Sequence, residues 1–308
     1  MTEEAKKGDM LQASDAEGTL LDEEFLSKID QLELVSRKVI MGKIHGERLT
    51  RKRGQSVEFA DYRQYVAGDD LRMIDWNIFG RLERLFLKLF LEEEDLHVYI
   101  LVDRSASMRF GKPSKLFYAK KVAAALGYIA LANYDRLVLG TFGEGAPNML
   151  GAMRGKRNIL RALDFLARAT AEGLTDGQSS LRSFAVSHRT KGIVILISDL
   201  FDKGGHEAAL SYLLAGAHDV FVIQVLSPEE LAPELAGDLT LVDAEDEDFT
   251  EVTISAPLLG RYKDTLSAFV GSVKEYCTRR GMTHILAPTT MSFETLVLDF
   301  LRQRGVVK

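Results

Sequence analysis

The spacing of apolar positions changes character twice along this chain. From Asp22 to Val39, Phe25, Ile29, Leu32, Val35 and Val39 recur three or four residues apart, which predicts a helix that Gly42 and Gly46 end. Residues 58–81 lack such a stripe, being dense in charge and aromatic rings, and lead into two predicted strands, Leu85–Leu91 and Leu96–Val102. After Val102, apolar β-branched runs alternate with amphipathic stretches. Helices are predicted near 115–132, 158–169, 180–188, 206–217, 259–281 and 293–303, and strands at 136–142, 193–198, 220–225 and 284–287. A short hairpin is predicted over Leu239–Ile254. Buried apolar strands separated by helices predict an α/β fold, a doubly wound and mainly parallel sheet covered on both faces, with a small β-rich elaboration before it.

Composition adds a division of the chain. Of 45 acidic and 39 basic side chains in 308 residues, eight acids and two lysines fall in residues 1–24, which therefore carry the whole formal charge of −6. The remainder is balanced, so the expectation is a protein with no general affinity for nucleic acid or anionic membrane. Three regions are expected: a flexible acidic tail over residues 1–20, a helix and charged segment with strands over 21–94, and the α/β domain over 95–308. A single cysteine, Cys277, excludes an intrachain disulfide and a multi-cysteine zinc site. The start of the chain does not read as a signal peptide, and apolar runs such as Gly192–Ile197 fall far short of the roughly 20 residues of a membrane span. A cytoplasmic protein without membrane insertion is expected.

In doubly wound sheets ligands gather at the carboxyl ends of strands, where the strand order reverses. The strand ending at Val102 runs into Asp103-Arg-Ser105-Ala-Ser107. In an extended loop, one carboxylate and two hydroxyls at this spacing would point the same way. These are hard oxygen donors, suited to Mg²⁺ or Mn²⁺. The simpler alternative is that Asp103 and the serines cap the next helix. Strand 193–198 likewise ends in Asp199, and the loop Glu172-Gly-Leu-Thr175-Asp-Gly supplies a further hydroxyl, with Asp176 or Thr170 as alternatives on the same loop. The basic loop Lys43–Arg53 reads as solvated, and Asp243–Glu251 lacks the glycine and glutamate of a calcium-binding loop.

Together, Asp103, Ser105, Ser107, Thr175 and Asp199 resemble the metal-ion-dependent adhesion site of von Willebrand factor A domains. A longer run, Glu58-Phe-Ala-Asp-Tyr-Arg63-Gln-Tyr65-Val-Ala-Gly68-Asp69-Asp70-Leu-Arg72-Met-Ile-Asp75-Trp76, followed by Arg81, Lys88 and Glu92-Glu93, is similar to the hallmark segment of the bacterial family catalogued as domain of unknown function fifty-eight. The resemblance continues through Lys115, Ser198-Asp199-Leu200 and Leu241-Val-Asp243-Ala-Glu245. It implies a von Willebrand factor A-like fold and work beside a MoxR-type AAA+ ATPase or its client protein. Many members carry transmembrane helices ahead of the hallmark segment, and this sequence shows none.

The hallmark segment itself alternates in sign through Asp61, Arg63, Asp69, Asp70, Arg72, Asp75 and Arg81. It is expected to form a buried or half-buried ion-pair network with Trp76 as apolar anchor, or else a face that recognises the ATPase. For the protein as a whole the expected function is a non-enzymatic, Mg²⁺-dependent protein-binding module. The alternatives are a metal-dependent hydrolase or phosphatase using Asp103, and a scaffold with a vestigial site.

Overall fold

Three strands of aliphatic and β-branched residues form the centre of the molecule: β3 (His97–Asp103), β6 (Gly192–Ser198) and β7 (Asp219–Leu226). A computed structural model describes residues 24, 25, 27, 28, 57–66, 69–92, 96–173, 176–216, 218–235, 237–242 and 249–303. The expected acidic tail, the basic loop and most of the first predicted helix lie outside the described residues. Two compact units are present, Met41–Asp95 on the one hand and Met1–Ile40 with Leu96–Lys308 on the other.

The larger unit holds a six-stranded sheet in the order β10-β7-β6-β3-β4-β5, with β4 at Arg136–Phe142, β5 at Asn148–Met153 and β10 at Thr283–Pro288. All neighbours run parallel except β5, which returns antiparallel along β4. Along the buried strands alternate residues serve opposite faces. Val98, Ile100, Val102, Ile193, Ile195 and Ile197 join one core, while Tyr99, Leu101, Val194 and Leu196 join the other. The first core is closed by α2 (Lys115–Ala132), α3 (Ile159–Ala167) and α8 (Phe293–Gln303). On the second face lie α4 (Gly177–Ser187), α5 (His206–Leu214) and α7 (Ala256–Arg279). Helix α2 is alanine-rich and buried almost throughout, so it sits close against the sheet. Gly192 is required where β6 passes β3, because a Cβ there would stand 2.3 Å from the His97 carbonyl oxygen.

The expected fold class, a doubly wound and mainly parallel sheet with a small β-rich region before it, is the one observed. Chain order places the site. Strand β3 leads through α2 to β4 on one side, and the chain then crosses to β6 on the other, so strand order reverses between β3 and β6. Outside this sheet, β8 (Gly237–Val242) and β9 (Phe249–Ile254) pair as the expected hairpin, whose 243–248 tip lies outside the described residues. A four-residue helix, α6 (Pro228–Leu231), follows β7.

The smaller unit pairs β1 (Val57–Gln64) with β2 (Phe86–Glu92), and α1 (Trp76–Leu82) lies between them in the chain. Two local ion pairs lie among its described residues, Arg63 with Asp69 at 2.7 Å, half-buried, and Arg72 with Asp70 at 3.1 Å, exposed. Asp75 caps α1 by accepting from the Asn77 and Ile78 amides, and it also accepts from the Tyr62 hydroxyl. Trp76 is 63% exposed, and its ring meets Phe79 edge-on.

Candidate metal centre

Asp103 ends β3 opposite Ser198 at the end of β6, and both side chains are buried. The Ser198 hydroxyl donates to Asp103 Oδ2 at 2.5 Å, and the Ser105 amide donates to Oδ1 at 2.9 Å. Burial and the nearby Asp199 carboxylate push the Asp103 carboxyl up to about 7, because both disfavour the charged form. Asp199 follows Ser198 in a tight turn. Its Oδ1 accepts from the Phe201 amide at 3.0 Å, and Leu200 between them takes the left-handed conformation at φ 62°. A branched residue rarely adopts that conformation, so this turn carries backbone strain at the site.

The residues Asp103, Ser105, Ser107 and Asp199 converge, though not by the expected route. The chain does not stay extended after Asp103: Ala106–Arg109 forms a 3-10 turn that swings Ser107 back toward Asp199. The Ser107 hydroxyl donates to Asp199 Oδ2 at 2.8 Å, and the Ser105 and Ser107 hydroxyl oxygens lie 3.0 Å apart. The hydroxyls thus run in a line from Ser105 through Ser107 to Asp199, and the Ser105 hydroxyl is also within hydrogen-bond reach of the Asp103 carboxyl. Helix capping is not their role. Ser114 caps α2 by accepting from the Phe117 amide, and Ser105 makes no side-chain cap bond.

Thr175 lies outside the described residues. Its loop is brought alongside by two backbone bonds, from the Glu172 amide to the Arg104 carbonyl at 2.9 Å and from the Ala106 amide to the Gly173 carbonyl at 3.1 Å. Asp176, the alternative on this loop, is committed to the N-terminus of α4 through the Ser179 amide.

Two charged side chains reach the site that the spacing argument did not assign to it. Lys115 is fully buried and donates to Asp199 Oδ2 at 2.7 Å and to Glu230 Oε1 at 2.5 Å. Glu230 in turn accepts from the Ser227 amide, completing a capping box on α6. A lysine in the first helical turn opposes the helix dipole, which marks it as unusual, and Ser227-Pro-Glu-Glu230 is a legible cap. Nothing local joins the two, which stand 115 residues apart. The buried Gln224 side chain supports the turn from below, donating to the Asp199 carbonyl at 3.2 Å and contacting His284 Nε2 at 3.0 Å through its own Oε1.

The donor set suits a divalent ion on charge as well as chemistry. With Asp103 ionised, the carboxylates of Asp103, Asp199 and Glu230 stand against the single ammonium of Lys115, a formal excess that matches one divalent cation. Among the described residues no group of three or more His, Cys, Asp or Glu side chains is arranged to hold a metal ion, so any ion here would depend on serine oxygens.

Residues 61–267 match the family described as "Protein of unknown function DUF58". Uncharacterized proteins of Mycobacterium bovis and Mycobacterium tuberculosis are each 26% identical to this chain over 297 residues, covering 94% of it and 93% of their own length. Among solved structures, the conserved hypothetical protein BatB from Bacteroides thetaiotaomicron overlaps 69% of this chain and 100% of its own, at 15% identity and a TM-score of 0.42. The SpRpn10 VWA domain overlaps 67% of this chain and 95% of its own, at 12% identity and a TM-score of 0.38. Among the described residues no helix is long and apolar enough to cross a membrane.

Proposed function

The chain belongs to the DUF58 family, and from that premise we propose that it is a non-enzymatic protein-binding module whose switch-point site holds Mg²⁺ or Mn²⁺. Asp103, Ser105 and Ser107 are the direct ligands in this reading, with Asp199 and Thr175 bound directly or through water. When bound, the ion supplies a positive position open to one carboxylate oxygen from a partner. The observation that carries the reading is the convergence of two strand-end carboxylates and two hydroxyls at the switch point.

The chain's own residues provide the rest. Ser198 and the Ser105 amide fix the Asp103 carboxylate, and the strained turn at Leu200 holds Asp199. The carboxylates that a hydrolase would need as general base are already engaged: Asp199 accepts from Ser107, Lys115 and the Phe201 amide, and Glu230 from Lys115 and Ser227. That supports a binding role over phosphatase or hydrolase chemistry. The partner proposed on family resemblance is a MoxR-type AAA+ ATPase or a client protein presented to it.

Capture of a purified MoxR-type ATPase from the same genome on the immobilised full-length chain tests this reading. Retention in Mg²⁺, loss in EDTA and loss with Asp103→Asn are expected. Retention unchanged by chelator, with the protein still folded, contradicts the metal bridge.

A further inference from the structure

Lys115 opens α2, where the helix dipole is positive, and yet its ammonium is wholly buried. It bonds Asp199 Oδ2 and Glu230 Oε1 and lies 5.1 Å from the centre of the Phe201 ring. Asp199 Oδ2 is also the oxygen that accepts the Ser107 hydroxyl. The ammonium and the hydroxyl line of the candidate metal centre therefore meet on a single atom.

We infer that Lys115 is a built-in cation that competes with the divalent ion for Asp199 and so sets the metal affinity of the site. The inference rests on the metal-binding reading above and assigns a role to a residue outside the ligand set. The physical argument is Coulombic. An ammonium in direct contact with a ligand carboxylate repels an incoming cation, and in a buried site water screens that repulsion poorly. Glu230 moderates it by sharing the same ammonium. Removing Lys115 leaves Asp199 Oδ2 with the Ser107 hydroxyl alone and makes the site more negative by one charge. Removing the charge of Glu230 leaves the ammonium undivided on Asp199.

Calorimetric titration with Mn²⁺ alone tests this on the full chain, for wild type, Lys115→Met, Glu230→Gln and the double variant, with circular dichroism as the folding check. Lys115→Met is expected to bind at least about tenfold tighter than wild type, and Glu230→Gln several-fold weaker. The double variant has the same formal site charge as wild type but a released Asp199, and it too should bind tighter. It stands in for Lys115→Met should the single variant fail to fold. Wild-type binding that is unchanged or weakened in the folded lysine variant, single or double, overturns the inference while leaving the metal site intact. Unchanged binding by Glu230→Gln overturns it as well. No Mn²⁺ binding by wild type or by any variant removes the metal reading itself, and this inference with it.

Discussion

Asp70 and Arg72 pair across two residues on the surface of the hallmark unit, whereas Lys115 meets Asp199 and Glu230 across 84 and 115 residues in the interior of the α/β unit. The first pair belongs to the most conspicuous run of alternating charge in the sequence. Yet its members are largely exposed, and such pairs contribute roughly 0.2–1 kcal/mol. The second group is inconspicuous, being one lysine at a helix start, one aspartate at a strand end and one glutamate in a cap. Because it is buried, each partner is needed to make the others tolerable, and losing one leaves an uncompensated charge. Density of charge along a chain is therefore a poor guide to where charge is structurally consequential. Burial decides, and burial depends on the fold.

The contrast is sharpest in stability. Asp199→Ala leaves Lys115 with Glu230 alone and removes the acceptor of Ser107, so urea denaturation should show a loss of about 3–5 kcal/mol. A loss below about 1 kcal/mol would mean the interior group is solvated after all.

Next comes pH. The native Asp103 carboxyl titrates near 7, against an ordinary value of 3.8, so between those values the native state holds a proton that the unfolded chain has released. Its contribution is fully present below pH 4 and is lost as pH rises toward 7. Asp103→Asn should abolish this dependence. It should match wild type near pH 4 and exceed it by up to about 4 kcal/mol at pH 8 in metal-free buffer, as measured by urea denaturation across that range. A wild type that gains stability relative to the variant over the same interval would place the carboxyl below its ordinary value.

The hallmark unit should respond less. Asp69→Ala removes a half-buried pair with Arg63 and a bond from the Val66 amide, for a loss of about 1 kcal/mol. Arg72→Ala should stay within about 0.5 kcal/mol of wild type, and a larger loss would show that the exposed pair belongs to a wider network.

The same contrast explains what could be read from sequence. Strands β3 and β6 were legible because each is an unbroken apolar run that ends abruptly in an aspartate, and that ending also exposed Asp103 and Asp199. Strand β1 was not legible, since its register shifts between Phe59 and Asp61, so the apolar positions Val57, Phe59 and Tyr62 change phase midway. Strand β5 is a short edge strand interrupted by Gly151, which hides its pattern. The convergence of Ser105 and Ser107 with Asp199 was anticipated, but on the assumption of an extended loop. The 3-10 turn that achieves it has no signature in Asp-Arg-Ser-Ala-Ser. The meeting of Lys115 with Glu230 was out of reach for a different reason. Lys115 entered only as part of the family resemblance and Glu230 in no expectation, and only the folded chain brings them onto Asp199 and each other.

A cation site at the switch point between β3 and β6 is tested most directly by Mg²⁺ titration of wild type and Asp103→Asn by calorimetry. Saturable binding by wild type, abolished in the folded variant, is the predicted result. Binding that is identical in the two proteins, or absent from wild type even when a partner that it captures is present, would contradict it.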